Sequence, residues 1–223
     1  MKRLIVGDIH GCHQELMDLL DQAGLSGDDE IIALGDLIDR GPDSPAVVDF
    51  YRCAPGARSL MGNHERKHVR ISKGEIPASA SQLLARQQFS AIGYAEAIAF
   101  FEGLPFFIDL PEATLVHGCL DPGKSLSDQR PETLLGTLSG ESYLRRHYDA
   151  PWYELYAGEK PVVAGHHDYS KVGKPMVIND RVFLIDTGCC YGRALTGIIL
   201  PDFQFLTVQS RRNYWGIAAA GPG

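Results

Sequence analysis

The chain has 223 residues, of which 44% are hydrophobic and 22% are charged, a composition typical of a folded globular protein and not of a disordered one. Its formal net charge of −7 disfavours nucleic acid and anionic membranes as partners, because the protein as a whole repels polyanions. An anionic substrate would need a local cationic site, which bound divalent metals supply directly.

The amino terminus lacks the features of a targeting segment. Its apolar stretch, residues 4–6, is too short for the core of a signal peptide, and no run reaches the ~18 apolar residues of a membrane span. We therefore expect a cytoplasmic protein. The five cysteines are odd in number and have no CxxC spacing, so we expect plain thiols rather than a disulfide framework or a zinc ribbon.

The first sixty residues alternate apolar runs with amphipathic segments. The apolar runs predict strands at 4–6, 31–34 and 59–61. The amphipathic segments predict helices at 16–24 and 44–51. This β-α-β-α-β order implies parallel strands joined by right-handed crossovers. A helical region that flanks the sheet, about 66–103, follows, and its candidate buried residues are Leu83, Leu84, Phe89, Ile92, Ile98, Phe100 and Phe101.

The second half of the sequence returns to strands. They are predicted at 105–110, 114–116, 161–164, 182–185, 195–200 and 203–208. The looser stretch among them has helical patches at 132–138 and 143–147. Because no internal repeat or linker divides the sequence, we expect one α/β domain over residues 1–223.

Metal-capable residues recur where apolar runs end. Three runs end in glycine followed by such a residue, in IVGDIHG, IALGDLIDRG and LMGNHE, and two end in histidine, in LVHG and VVAGHH. Each motif taken singly is as readily structural as functional. Because ligands collect at the carboxyl ends of strands in open α/β sheets, the five ends together predict one site.

These strand ends supply two carboxylates, one amide oxygen and three imidazoles, from Asp8, His10, Asp36, Asn63, His117 and His166. A set without a thiolate suits Mn, Fe or Zn better than a soft metal, and the sequence does not choose among the three. Six ligands exceed what one open catalytic ion needs. Two ions that share a carboxylate account for the number, and such pairs clamp both oxygens in phosphoryl displacement.

At these motifs the sequence resembles the calcineurin-like metallophosphoesterase superfamily, in particular its phosphoprotein phosphatase branch. The matching segments are GDIHGC at 7–12, GDLIDRGPDS at 35–44, GNHE at 62–65, VHG at 116–118 and GHH at 165–167. The length resembles that of small bacterial and viral protein phosphatases. A later segment, IDTGCCYGRALT at 185–196, is similar to symmetric diadenosine tetraphosphate hydrolases.

The resemblance implies a four-layer α/β/β/α sandwich with mixed sheets and a dinuclear metal site at the carboxyl ends of the strands. One ion would be held by Asp8 and His10, and the other by Asn63, His117 and His166. Asp36 would bridge the two ions, for which manganese is the first choice and iron or zinc the alternatives. A water shared by two cations ionises near neutral pH, and this bridging hydroxide is the expected nucleophile.

The resemblance also assigns catalytic roles beside the metals. His64 would be the general acid and Asp39 its partner, since a histidine oriented by a carboxylate is the usual proton donor to an alkoxide. Arg40 would bind a phosphate oxygen together with Asn63, because a planar guanidinium matches the phosphoryl group. Read singly, Asp39 and Arg40 would pair with each other, and His64 would only support Asn63.

Two features depart from the family pattern. Many members carry a second phosphate-binding arginine where this chain reads LLGTLSGES at 134–142, and either Arg145 or Arg146 is the candidate substitute, with plain solvated charges as the alternative. His167 stands where threonine is common, and we expect it outside the ligand shell. Two residues of the late segment, Tyr191 and Arg193, either line the cleft or pack in a loop.

Other residues have less specific interpretations. A basic cluster follows the catalytic histidine and consists of Arg66, Lys67, His68, Arg70 and Lys73. It favours a solvated helix face, and the alternative is a docking surface for an acidic or multiply phosphorylated substrate. Three aromatic residues are expected to be packing residues, namely Trp152, Tyr153 and Tyr156.

The leading functional hypothesis is a metal-dependent phosphomonoesterase that acts on phosphoserine or phosphothreonine in proteins. The alternative is symmetric hydrolysis of a dinucleoside polyphosphate such as diadenosine tetraphosphate. A remote alternative is a scaffold without catalytic activity, although such a protein would have no need of a complete ligand set beside Asp39, Arg40 and His64.

Overall fold

The computed structural model of the protein describes residues 1–220, so the last three residues of the expected domain lie outside it. The first half contains β1 (Arg3–Val6), α1 (His13–Ala23), β2 (Glu30–Ala33), α2 (Ser44–Cys53), β3 (Ala57–Ser59), α3 (Asn63–Ser72), α4 (Ala80–Gln87) and α5 (Ala91–Glu102). The middle contains β4 (Phe107–Asp109), β5 (Thr114–Val116), α6 (Pro131–Leu134), α7 (Leu138–His147), α8 (Trp152–Leu155) and β6 (Val162–Ala164). The last part contains β7 (Met176–Ile178), β8 (Val182–Leu184), β9 (Ala194–Leu200), β10 (Gln204–Gln209) and α9 (Tyr214–Ala220).

The strands form two mixed five-stranded sheets. The first has the order β10-β9-β1-β2-β3, in which β1, β2 and β3 are parallel and β9 and β10 are antiparallel to their neighbours. The second has the order β4-β5-β6-β8-β7, in which β5, β6 and β8 are parallel and both edge strands are antiparallel. The carboxyl ends of the parallel strands are where the sequence places its polar motifs.

Alternation along the strands builds the four layers. In β1, Ile5 faces an apolar cluster between the two sheets, while Leu4 and Val6 face a cluster beneath the helices that cover the first sheet. In the second sheet, Leu115 faces the shared interior and Val116 faces a third cluster beneath α6, α7 and α8. Successive strand residues point to opposite faces, so this pattern gives the α/β/β/α sandwich, and the expected fold class is confirmed.

The helical region after β3 belongs to the same core. Phe101 of α5 is fully buried and packs in the cluster that also contains Leu4 and Val6 of the first sheet. Two of the expected buried residues are instead exposed, Leu83 by 50% and Ile92 by 75%, because they lie on the outer faces of α4 and α5. That residues 1–223 form a single domain remains a prediction.

Most predicted strands are present, with local differences. β3 ends at Ser59, earlier than the predicted 59–61, although Leu60 still donates its amide to the Ala33 carbonyl. Three short elements, β7, α8 and α9, were not predicted from the sequence. All five cysteines are free thiols, as predicted. Within residues 1–220 no helix is both long and apolar enough to cross a membrane.

Candidate metal centre and active site

The loops that follow five strands converge on one cavity and are joined by backbone hydrogen bonds. His10 donates its amide to the Asp36 carbonyl at 2.8 Å, which links the loops after β1 and β2. His166 donates its amide to Asp8 Oδ1 at 2.9 Å, and Gly165 donates to the His117 carbonyl at 3.0 Å. These contacts connect the two sheets and bring residues 8 and 166 together, as the strand-end pattern predicted.

Several of the converging residues have left-handed backbone conformations. The φ angles of His10, Asp36 and His166 are 49°, 51° and 73°, and those of Asp39 and Arg40 are 78° and 67°. Such conformations are uncommon outside glycine and persist only where surrounding contacts enforce them. Their concentration here indicates that the loops are held in place for a function.

Asp36 is the member that two clusters of potential ligands share. His10, Asp36 and His64 have ligand atoms within 4.8 Å of one another, and so do Asp36, His117 and His166. The two carboxylate oxygens face different sides, because His10 Nε2 lies 3.5 Å from Oδ2 and His117 Nε2 lies 3.4 Å from Oδ1. This geometry suits a carboxylate that bridges two ions.

Hydrogen bonds to backbone carbonyls orient two of the imidazoles. His10 Nδ1 lies 2.9 Å from the Ile38 carbonyl, and His117 Nδ1 lies 3.0 Å from the Leu34 carbonyl. Because a carbonyl only accepts, each Nδ1 carries the hydrogen and each Nε2 presents a lone pair to the cavity. Ligating histidines in metal sites are held in the same way.

His166 is oriented by a side chain that the sequence analysis missed. Its Nε2 lies 2.9 Å from Glu141 Oε1, which leaves Nδ1 for a metal. The same oxygen lies 2.7 Å from His167 Nε2, so Glu141 contacts both histidines. Gly136 allows this packing, because its φ of 61° is left-handed and a Cβ there would lie 2.4 Å from the His166 ring.

The side-chain amide of Asn63 lies 3.1 Å from His117 Nε2 and 3.1 Å from Asp36 Oδ2. With its nitrogen turned toward them Asn63 donates to both, and with its oxygen turned toward them it faces only acceptors, the orientation that a bound cation favours. Asp8 belongs to neither three-residue cluster, but its Oδ2 is buried and lacks a hydrogen-bond partner within the described chain. A buried acceptor is costly when unpartnered, and a cation satisfies these groups together. The residues therefore fit divalent metals.

The carboxylates of the site are buried and repel one another, so nearby positive charge would stabilise them. Burial, with the neighbouring charges of Asp186 and Asp36, raises the pKa of Asp8. Burial also raises the pKa of Asp186, to about 6. Burial lowers the pKa of His117 to about 4 and lowers that of His10, so both rings are neutral near pH 7, the form that ligates metals.

Glu65 holds the Asp36 loop against the start of α3. Its carboxylate accepts hydrogen bonds from the amides of Asp36 and Leu37, each at 2.8 Å, and from the amide of Gly62 at 2.9 Å. The amide of His64 donates to Asp36 Oδ1 at 3.0 Å, at a helix end that favours negative charge. Gly62 is needed for close approach, since a Cβ there would lie 2.2 Å from Asp36 Oδ1.

Asp39 orients His64 and is itself fixed by two further residues. Asp39 Oδ2 lies 2.5 Å from His64 Nδ1 and accepts from Gln82 at 2.7 Å, and Oδ1 lies 2.8 Å from His68 Nε2. Burial raises the pKa of Asp39, but hydrogen bonds from His64 and His68 outweigh it and hold that pKa well below its usual range. His64 lines the cavity, and its Nε2 lies 3.9 Å from Asp36 Oδ2.

The arginines lie in different places. Arg40 reaches the cavity, with Nη1 2.7 Å from His10 Nε2 and its guanidinium 5.5 Å from the Tyr191 ring centre. Tyr191 and Arg193 also line the cavity, and Arg193 forms an ion pair with Asp168. Arg145 pairs with Glu141 outside it, and Arg146 bonds the Ser142 carbonyl on the surface, so neither fills the place of the missing arginine in this conformation.

Three residues that support the site differ in how readily the sequence identifies them. Asp186 follows the apolar run of β8 and lines the cavity, so the strand-end rule applied to that run would have found it. Glu65 stands third in α3, the position of a capping-box acid. His68 was placed in a solvated cluster and is fully buried, because one face of α3 packs on the core.

Replacing Asp36 with Asn should abolish binding of both ions, because it removes the charge that the two clusters share while keeping the shape. Replacing His117 with Asn should remove one ion only. The measurement is manganese content per chain after dialysis, with two for the native protein, near zero for Asp36→Asn and about one for His117→Asn. Two tightly bound ions in folded Asp36→Asn would contradict the shared role.

Comparison with known proteins agrees with this arrangement. The calcineurin-like phosphoesterase family matches residues 1–183. The bis(5'-nucleosyl)-tetraphosphatase PrpE [asymmetrical] of Bacillus velezensis is 31% identical over 239 residues, covering 94% of this chain and 93% of the relative. The protein of the same name from Bacillus subtilis is 30% identical over 241 residues, covering 94% and 95%.

Solved structures share the fold. One, provisionally assigned as a diadenosine tetraphosphatase, has a TM-score of 0.78 at 27% identity and covers 94% of this chain and 93% of its own. A serine/threonine phosphatase from Saccharomyces cerevisiae has a TM-score of 0.62 at 16% identity, covers 94% and 80%, and supports the fold alone. With the family match over most of its length, the chain belongs to the calcineurin-like phosphoesterases and is a hydrolase of the metallophosphoesterase type.

Proposed function

We propose that the protein hydrolyses dinucleoside tetraphosphates asymmetrically, releasing a nucleoside monophosphate and a nucleoside triphosphate. Relatives with that name align with nearly the whole chain, and a structural neighbour is provisionally assigned to diadenosine tetraphosphate. The structural observation that carries the proposal is a basic groove that opens into the metal site.

The basic groove is a cavity of about 550 Å³ beside α3. Arg66, Lys67 and Arg70 line it, as do Asn63 and His166, which also line the cavity of the metal site. Three cations along one groove suit a chain of phosphates better than a single phosphoserine, because each phosphate adds negative charge. The groove therefore supports a polyphosphate substrate.

Ion pairs already in the groove do not exclude a ligand. Arg66 lies 3.5 Å from Glu132 and Arg70 lies 2.9 Å from Glu75, and both pairs are partly exposed. Such pairs contribute little to stability, so a phosphate chain can displace them. The residues of the basic cluster, which was expected to be a solvated helix face, therefore have different environments. Three of them line the groove, His68 is buried, and Lys73 pairs with Glu102 at 2.8 Å.

The proposed metal ligands keep the arrangement expected from the resemblance. One divalent ion would be held by Asp8, His10 and Asp36, and the other by Asp36, Asn63, His117 and His166. Manganese is our first choice for these oxygen and nitrogen donors. When bound, the ions supply positive charge at the phosphoryl oxygens and promote ionisation of the attacking water.

The remaining roles belong to the chain's own side chains. Arg40 would bind a phosphoryl oxygen with its guanidinium, assisted by Asn63. His64, with Nδ1 fixed by Asp39, would deliver a proton from Nε2 to the departing oxygen. Tyr191 would position Arg40 by its ring contact.

The protein phosphatase and scaffold hypotheses have less support than the dinucleotide hypothesis. The prediction of a phosphoserine or phosphothreonine phosphatase retains support at the level of fold only, since the yeast phosphatase is 16% identical. The dinucleotide alternative is favoured by the relatives, which are named as asymmetrical rather than symmetric. Membership of a hydrolase family and the intact donor set leave the scaffold hypothesis without support.

The proposed function is tested by product analysis with purified protein and Mn²⁺. Diadenosine tetraphosphate should give AMP and ATP in equal amounts, because asymmetric cleavage leaves one phosphate on one side and three on the other. A phosphopeptide panel serves as the comparison. Two molecules of ADP per substrate, or a higher kcat/KM on any phosphopeptide, would contradict the proposal.

A matched pair of variants connects that activity to the basic groove. Lys67→Gln should raise KM for diadenosine tetraphosphate about tenfold, since a charge-assisted hydrogen bond contributes ~1.5 kcal/mol. Lys73→Gln, directly after the same helix but paired with Glu102, should leave KM unchanged. Neither variant should alter turnover of p-nitrophenyl phosphate, which is too short to reach the groove.

Replacing His64 with Asn should slow the reaction in proportion to how basic the leaving group is. Turnover of an alkyl phosphate should fall by ~10² to 10⁴, whereas p-nitrophenyl phosphate should lose much less, because its leaving group needs little protonation. His147→Asn, at the exposed end of α7, is the control and should leave both turnovers unchanged. Equal losses on both substrates for His64→Asn would indicate a positioning role.

A further inference from the structure

A second cavity adjoins the metal site on another side from the basic groove. It has a volume of about 540 Å³, and three of its aromatic residues are Trp152, Tyr153 and Tyr169. Glu141 and His167 line both this cavity and the basic groove. We call it the aromatic pocket, and its volume falls in the range of small-molecule sites.

Aromatic rings lead from the metal site into this pocket. The His166 and His167 ring centres are 4.1 Å apart, and those of His167 and Tyr169 are 5.5 Å apart. Tyr153 follows at 5.1 Å from Tyr169, and Trp152 at 6.0 Å from Tyr153. Two ring-to-ring contacts therefore lie between His166, a proposed metal ligand, and Tyr169. A ribose and its phosphate span that separation.

The pocket is both packed and accessible. Trp152 is 4% exposed and belongs to the apolar cluster beneath the second sheet, whereas Tyr153 and Tyr169 are half-buried. Trp152 and Tyr153 therefore pack, as predicted, and also line the cavity. At the metal-facing rim, the Arg145 side chain is 65% exposed and pairs with Glu141 at 3.2 Å. A flat aromatic ligand carrying a phosphate matches aromatic walls with a cation at the rim.

We propose that the aromatic pocket binds the nucleobase at the mononucleotide end of the dinucleotide, an inference that rests on the proposed function. Asymmetric cleavage requires two unlike arms on either side of the scissile bond. The short arm places a base one phosphate from the metals, and the long arm extends three phosphates away. The aromatic pocket and the basic groove provide these two environments and meet at Glu141 and His167.

Kinetics with a matched pair of variants test the pocket. Tyr153→Leu should raise KM for diadenosine tetraphosphate about tenfold, since stacking on one aromatic residue has effects of this size, while kcat stays within twofold. Tyr156→Leu is the control, because Tyr156 packs on the same cluster but lines a different cavity. Turnover of p-nitrophenyl phosphate, which has no base, should be the same in both. An equal KM for the dinucleotide in both folded variants would overturn the proposal.

Fluorescence tests binding without catalysis. The chain has two tryptophans, and Trp215 lines a cavity formed with α4, so Trp215→Phe leaves Trp152 as the only reporter. AMP should quench or shift this emission in a saturable manner, whereas ribose 5-phosphate should not. An unchanged emission with AMP, or equal responses to both compounds, would overturn base binding in the pocket.

The two proposals fail separately. A native protein that turns over p-nitrophenyl phosphate but not diadenosine tetraphosphate would overturn the proposed function. The AMP titration then decides the pocket alone: a saturable response that Tyr153→Leu weakens supports a base site, and no response removes it.

Discussion

The position of the Asp36 carboxylate is the constraint on which the rest of the site depends. It is buried, with 2% exposure, and stands in a left-handed turn at the end of β2. Burial raises its pKa, but His117, His64 and His10 outweigh burial and hold that pKa well below its usual range. A buried carboxylate that stays ionised requires positive partners. Because the His10 and His117 rings are neutral near pH 7, the two proposed cations would supply that charge.

The fold supplies the rigidity that this arrangement needs. Two sheets present the carboxyl ends of their parallel strands to the same cavity, and direct hydrogen bonds connect the loops from each sheet. Glu65 then ties the Asp36 loop to α3, whose first residues include Asn63 and His64. Metal ligands and the proposed proton donor are therefore positioned by the same few backbone contacts.

Sequence reasoning recovered what local pattern and chemistry determine. Apolar runs that end in a polar residue identified the six proposed ligands. Four of them line one cavity, and His117 and Asp8 contact members of that group. It did not recover Glu141, whose contact with His166 depends on how α7 packs on the second sheet. His68 was misplaced because a charged neighbourhood in sequence says little about which helix face is buried. Trp152 packs in the core as predicted and also lines the aromatic pocket.

Substrate choice, in this account, comes from two unlike cavities that meet beside the metal centre, but the centre itself is the primary claim. The most direct test is anomalous diffraction from crystals of the protein grown with Mn²⁺. We predict two peaks ~3.5–4 Å apart, with the Asp36 carboxylate between them. A single peak, or two peaks that Asp36 does not contact, would contradict the account.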